Sequence, residues 1–204
     1  MTRSPSPAVL RGDRDEVHLT YALPEDRDAF LDAVARSRRL HGGWSDPPAT
    51  VPAAERYLAA SGASASRPDE ATTLSYLVRW GPSGDLVAVI NANDIVRRAF
   101  QSTALGFAAF EPHAGRGRTR RGVALVLDEL FGARSLHRAE ANVRPDNVRS
   151  LQLVRRLGFR HEGTSPRMLF LDGAWRDHER FAILADEWPS VAAAARTSPS
   201  GTHT

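Results

Sequence analysis

The stretch Ala114-Gly115-Arg116-Gly117-Arg118-Thr119 is where residue type and spacing point most directly to chemistry. A strand-like segment precedes it and a helix-like segment follows. Glycines in such a loop let backbone N–H groups converge, and the helix N-terminus adds a partial positive charge, which together make a site for phosphate. Arg116, Arg118, Arg120 and Arg121 strengthen that reading, because guanidinium pairs phosphate bidentately. The same loop also reads as a plain tight turn. A dinucleotide fingerprint is disfavoured, since no third spaced glycine follows and no acid ends the next strand.

All 27 basic residues counted as Lys+Arg are arginines, and the chain has no cysteine. Disulfides, cysteine-ligated metals, thiol nucleophiles, Schiff-base lysines and a P-loop lysine are therefore excluded. A codon bias would also produce the missing lysines. Position is more informative: residues 116–167 carry 12 arginines against five acids, a balance of +7, whereas the rest of the chain stands at −4. An anionic partner for that segment follows: nucleic acid, a phosphorylated cofactor or an acidic protein surface. No His, Asp and Glu spacing suggests a metal site.

With 204 residues, 42% of them hydrophobic, one globular domain is expected. No apolar run reaches the roughly 18 to 20 residues of a membrane span, and residues 1–15 have no apolar signal core. A cytoplasmic protein is expected. Residues 1–15 and 189–204 are polar or low in complexity and read as disordered tails around a domain at 16–188.

Positioning elements follow from periodicity. Strands are expected at 17–23, 74–80, 86–91, 103–110, 137–143, 159–162, 167–171 and 174–184, with a tight turn at Asp172-Gly173. Helices are expected from Asp26 to about Arg38 and at 53–60. A third carries Val123, Val126, Leu127, Leu130 and Phe131 on one face, and a fourth, capped by Asn147, carries Leu151, Val154 and Leu157 up to Gly158. This alternation of strands and helices is a mixed α/β domain. Tyr76 and Trp80 read as core, His178 as lining a cleft or orienting a loop, and Trp44 as a cleft residue in a loop between helices.

Together the Gly loop, Leu136-His137-Arg138-Ala139-Glu140-Ala141-Asn142-Val143, Pro145-x-Asn147-x-x-Ser150, Arg156-Leu157-Gly158-Phe159 and Glu162-Gly163 resemble the GNAT-fold acetyltransferases. Asp94-Ile95-Val96-Arg97, Leu105-Gly106-Phe107 and Gly173-Ala174-Trp175-Arg176-Asp177-His178 are similar to the branch that acetylates ribosomal-protein alanine, the RimJ/RimL type. The resemblance, over roughly 17–188, implies a mostly antiparallel central sheet flanked by helices. It implies acetyl-CoA as donor and direct transfer to an amine, with a protein or peptide α-amine as acceptor. Gly115, Arg116, Gly117, Arg118 and Thr119 would hold the pyrophosphate. Phe107, Ala108, Ala109 and Phe110 would run beside the pantetheine like an added strand. Asn147 would hydrogen-bond the pantetheine, and Ser150 would stand near the sulfur.

The departures from the family pattern concern the catalytic groups. Ala114 replaces a frequent Gln or Arg, and Thr119 a frequent Gly or Ala. Val154 stands where many relatives place an acidic tyrosine, which leaves Ser150 either as that acid or as a plain polar residue of a first helical turn. Asn142 stands where many relatives carry Glu. Glu140, two residues earlier on the same strand face, is either the general base or the partner of an arginine. An α-amine, with a pKa of roughly 7.7 to 8.0, is partly neutral at pH 7 and needs a strong base less than a lysine near 10.4. Alternatives are a small-molecule amine acceptor, a CoA-binding sensor without turnover, and a nucleic-acid binder. The last is disfavoured because the arginines lack interleaved aromatics or a recognisable motif. A homodimer stays open, and no membrane or nucleic-acid partner is expected.

Overall fold

The computed structural model describes residues 10–13, 16–171 and 173–189. Eight strands form one sheet: β1 (Arg11–Gly12), β2 (Val17–Tyr21), β3 (Leu74–Trp80), β4 (Asp85–Val96), β5 (Ser102–Ala109), β6 (Arg138–Val143), β7 (Arg160–Leu171) and β8 (Ala174–Leu184), in the order β1-β2-β3-β4-β5-β6-β8-β7. Every neighbouring pair is antiparallel except β5 and β6. The parallel step needs a crossover, and α4 (Arg118–Asp128) supplies it, followed by a π-helical turn at Glu129–Ala133.

Two layers of helix cover the sheet. α4 and α5 (Val148–Arg156) seat Val123, Val126, Leu127, Leu151 and Val154 against Leu74, Tyr76, Val78, Ile90 and Phe181. On the opposite face, α1 (Arg27–Arg36) and α3 (Val51–Ser66) pack Phe30, Val34, Ala54 and Leu58 against Leu77, Leu86, Val89 and Phe110; the short α2 (Arg38–His41) lies between them. β3 is therefore covered on both sides, and its alternation of residue types leaves no solvent face. α4 docks directly on β3 because Gly122 carries no side chain: a Cβ there would lie 2.4 Å from Val78 Cγ2.

Several boundaries differ from the sequence expectation. The helix expected at 53–60 runs from Val51 to Ser66, since its alanine-rich continuation costs little to hold helical. The strands expected at 159–162 and 167–171 are one strand, β7, with register shifts at His161/Gly163 and Ser165/Leu169; positive φ at Gly163 (127°) and Arg167 (48°) lets the chain bulge and continue. β4 likewise extends to Val96 through an irregularity at Asn93/Val96, with Asp94 at φ 49°. Arg11–Gly12, expected in a tail, pairs with β2, held by an Arg11–Glu129 ion pair of 3.1 Å. Of the turn expected at Asp172-Gly173, Asp172 lies outside the described residues, as do 1–9, 14–15 and 190–204. Among the described residues, no helix is long and apolar enough to cross a membrane.

Candidate active site

The glycine loop ends on the N-terminus of α4. Gly115 and Gly117 have φ of 76° and 74°, a conformation side-chain-bearing residues adopt only with strain, and nothing lies within 4 Å of the place where either Cβ would be. The loop is therefore open on the side where its backbone can be approached, and the first-turn N–H groups of α4 have no intrahelical partners. The four arginines do not act alike. Arg118 stacks 3.8 Å above the Trp80 ring and donates from Nη1 to His113 Nδ1 at 2.6 Å. Arg121 pairs with Glu16. Arg116 is exposed, and neither it nor Arg120 has an ion pair among the described residues. Burial and the adjacent Arg118 charge push the His113 imidazole down from its ordinary value, so its Nδ1 stays an acceptor.

Beyond the loop the sheet splits. β5 and β6 pair only at Ser102↔Arg138, Thr103↔Ala139 and Ala104↔Glu140, after which the strands continue without pairing to each other. This fork exposes one edge of β5. Phe110 N–H donates to Val87 O at 2.7 Å, so by antiparallel alternation Ala108 and Phe110 turn their backbone groups to β4, while Phe107 and Ala109 turn theirs to the fork. His41 Nε2 already donates to Ala109 O at 2.9 Å. The Phe110 ring is fully buried against Phe30 and His41. Of residues 107–110, only Phe107 and Ala109 therefore turn main-chain groups toward the fork.

The other arm of the fork carries the remaining candidates. Glu140, at the last paired position, accepts from Arg138 Nε at 2.8 Å and lies 3.9 Å from Arg180 Nη2. Asn142 follows on the same strand face, opposite Arg180, and among the described residues neither its buried Oδ1 nor Arg180 Nε has a hydrogen-bond partner. Asn147 caps α5: its Oδ1 accepts from Ser150 N–H at 3.1 Å, leaving its amide N–H groups as the donors for any ligand. Ser150 lies in the first turn, half-buried. Val154 is buried in the core.

A cavity of about 290 Å³ lies on the α1–α3 side, lined by Phe30, Ser45–Pro48, Tyr57, Val89 and Asn91, and by Gly106–Ala108 of the opened strand. Tyr57 Oη donates to Asn91 Oδ1 at 2.6 Å, and the Tyr57 ring stacks on Phe30 with centroids 5.6 Å apart. The loop that walls the cavity is tied across the fork. Trp44 Nε1 donates to Asp146 Oδ1 at 3.2 Å, and Arg144 Nη1 to Gly43 O at 3.0 Å. The hydrogen bond from Arg144 holds the Asp146 carboxyl below the usual carboxylate range. Trp44 thus fastens the cavity loop and is not among its lining residues. His178 is buried, with Nδ1 donating at 3.0 Å to the carbonyl of Arg176 on its own strand.

Sequence reasoning missed Tyr57 and Asn91. Asn91 and Asn93 do interrupt an apolar strand at i and i+2, a signal of a polar patch on one face. Nothing local marks Tyr57, which reaches the site only because α3 packs on β4.

The profile of the acetyltransferase (GNAT) domain matches residues 17–160. The [Ribosomal protein uS5]-alanine N-acetyltransferase of Escherichia coli is 32% identical over 104 residues, 51% of this chain and 54% of that protein. The spermidine N(1)-acetyltransferase of the same species is 27% identical over 109 residues, 53% of this chain and 56% of that protein. The chain thus spans little more than half the length of these curated relatives. Among solved structures, Mycobacterium smegmatis RimJ, in complex with CoA-disulfide, superposes with a TM-score of 0.78 at 27% identity, over 88% of this chain and 89% of that one.

Proposed function

The chain belongs to the GNAT acetyltransferase family, and from that premise we propose that it acetylates an N-terminal α-amine of a protein or peptide with acetyl-CoA as donor. The observation that carries this reading is the meeting of fork and cavity at Gly106–Ala108: a donor along the open edge of β5 and an amine in the cavity share that strand.

The residues present fit the donor. The loop 115–119 and the α4 N-terminus offer amides to the pyrophosphate, with Arg116 and Arg120 at hand for phosphate charge. Phe107 and Ala109 offer strand-like contacts to the pantetheine, and Asn147 offers its amide N–H groups. Acetyl-CoA supplies the acetyl group as a thioester, whose carbonyl carbon the amine attacks as the C–N bond forms and the C–S bond breaks. The N-terminal end of α5, with its helix dipole and the Ser150 hydroxyl, would stabilise the negative charge of the departing thiolate. Ser150 is assigned the proton donor to sulfur, and it regains that proton from the water that takes the amine's. Glu140 is assigned no proton, because its Oε1 accepts from Arg138 and its Oε2 lies 3.9 Å from Arg180; the amine loses its proton to water. That route suits an α-amine, which is partly neutral at pH 7.

The cavity, about 290 Å³, lies at the small end of ligand sites and matches the first residue of a peptide better than an aminoglycoside. Similarity to a ribosomal-protein alanine acetyltransferase supports the same acceptor class. Asp46, exposed on the cavity wall without an ion pair among the described residues, favours a second reading, a polyamine acceptor, in keeping with the spermidine relative. We further take 16–188 as the acetyltransferase domain, with Leu10–Asp13 attached to its sheet, and a cytoplasmic location, where nascent N-termini are met.

Thiol-release kinetics with acetyl-CoA test the assignment, using peptides beginning with Ala or Ser beside a panel of polyamines and aminoglycosides. Peptide turnover with kcat rising through the α-amine pKa of roughly 8 is expected. Turnover of polyamines alone moves the acceptor to the second reading.

A further inference from the structure

The cavity wall is mostly apolar, and Phe30, Pro47, Pro48, Val89, Phe107 and Ala108 form most of it. In such a site the few polar groups fix the ligand's orientation. Tyr57 and Asn91 stand where the wall meets the floor of the sheet, and Asn91 is the cross-strand partner of Gly106. Asn91 Oδ1 takes the phenolic proton at 2.6 Å, and Phe30 fixes the ring by stacking. Burial pushes the Tyr57 phenol above its ordinary value, so it stays protonated at neutral pH. With its single proton committed to Asn91 and the Ser75 hydroxyl directed at one lone pair, the oxygen keeps one lone pair to offer, and it is a hydrogen-bond acceptor in an apolar cavity.

We infer that Tyr57 Oη, fixed by Asn91, accepts an N–H of the acceptor amine and holds that nitrogen beside Gly106–Ala108. The inference rests on the acetyltransferase reading and adds an amine-binding residue to it, with Asn91 as the positioning residue behind it. An acceptor that carries no formal charge binds a neutral amine without fixing it as ammonium, so the nitrogen lone pair stays free for attack. Selectivity follows: an amine already acylated has one N–H fewer and a bulkier nitrogen, and it fits the same place poorly.

The test combines Tyr57→Phe, which removes only the hydroxyl, with Asn91→Ser, which removes its fixing partner. Binding is measured by calorimetry with CoA present, using a peptide that begins with Ser and the N-acetylated form of that peptide. Tyr57→Phe is expected to weaken binding of the free-amine peptide about tenfold, the scale of one hydrogen bond in a dry site. Affinity for CoA, the melting temperature and the weaker binding of the acetylated peptide should stay as in the wild type. Asn91→Ser should weaken the free-amine peptide by a smaller factor, and KM for the peptide should rise with both variants. Equal peptide binding by wild type and Tyr57→Phe overturns the inference, as does a loss shared by CoA and peptide. A wild type that binds the peptide in a Tyr57-dependent way without releasing thiol leaves the inference standing and overturns the acetyl-transfer reading instead.

Discussion

At the scale of single residues, the site divides into groups already engaged and groups left with capacity. Glu140 is engaged: its Oε1 accepts from Arg138 at 2.8 Å and its Oε2 lies 3.9 Å from Arg180, so Glu140→Gln should lower kcat by less than about tenfold. Ser150 retains its hydroxyl in the first turn of α5, and Ser150→Ala should lower kcat about a hundredfold while KM for acetyl-CoA changes little. Steady-state kinetics on the two variants separate the roles, since a large loss with Glu140→Gln and none with Ser150→Ala reverses the assignment. Both residues were legible in the sequence, but the choice between the open readings of Glu140 was not. It depends on Arg138, two positions away on the same strand face, which is visible in sequence, and on whether a ligand or a guanidinium lies nearer, which is not.

At the scale of elements, the loop–helix unit and the strap across the fork behave differently. Gly117→Ala puts a side chain on a residue at φ 74°, which should cost about 1 kcal/mol of stability and raise KM for acetyl-CoA, with no change in KM for the amine. Arg144→Ala cuts the bond to Gly43 O that holds the cavity loop. Because Arg144 also pairs with Asp146 near the surface, the stability loss should stay below about 1 kcal/mol. The expected signature is a rise in amine KM of about three- to tenfold, with faster hydrogen exchange over residues 42–50. Unchanged exchange there would show that the loop is held by Trp44 alone. The loop, α4 and the capped α5 could be read from the sequence because their signals are local: glycines, an i, i+3, i+4 pattern and an Asn before a helix. The strap joins Gly43 to Arg144 and Trp44 to Asp146, pairs about a hundred residues apart, and no local pattern announces it.

At the scale of the whole molecule, Glu162 and His113 contribute two steps to the expected response to acid. Hydrogen bonds from Arg138, with smaller help from Arg160, bring the Glu162 carboxyl to about 2 from an ordinary 4.5. Its stabilisation is present above pH 4.5 and is lost as the pH falls toward 2, because the unfolded chain takes up the proton first. His113 has a lowered value for a base, so below its ordinary 6.5 the unfolded chain gains a proton that the folded one refuses, and stability falls as pH drops from there. Urea unfolding at pH 7.5, 5.5 and 3.5 should show stability decreasing at both steps. Glu162→Gln should flatten the lower step, and His113→Gln the upper one.

The sequence by itself determined the order of the main elements from β2 on, save that two expected strands are one, together with the glycine loop before α4, the capped helix that follows β6 and the kinship these carry. All of these rest on contacts between residues close in the chain, where spacing alone dictates geometry. Only the tertiary structure decided where β5 and β6 part, which of residues 107–110 turn toward the gap, which loop arginines are already taken, and that Tyr57 and Asn91 meet in a cavity walled by a distant loop. The physical reason is that a cleft is a place where strands stop pairing, and pairing is decided by packing among elements far apart in sequence.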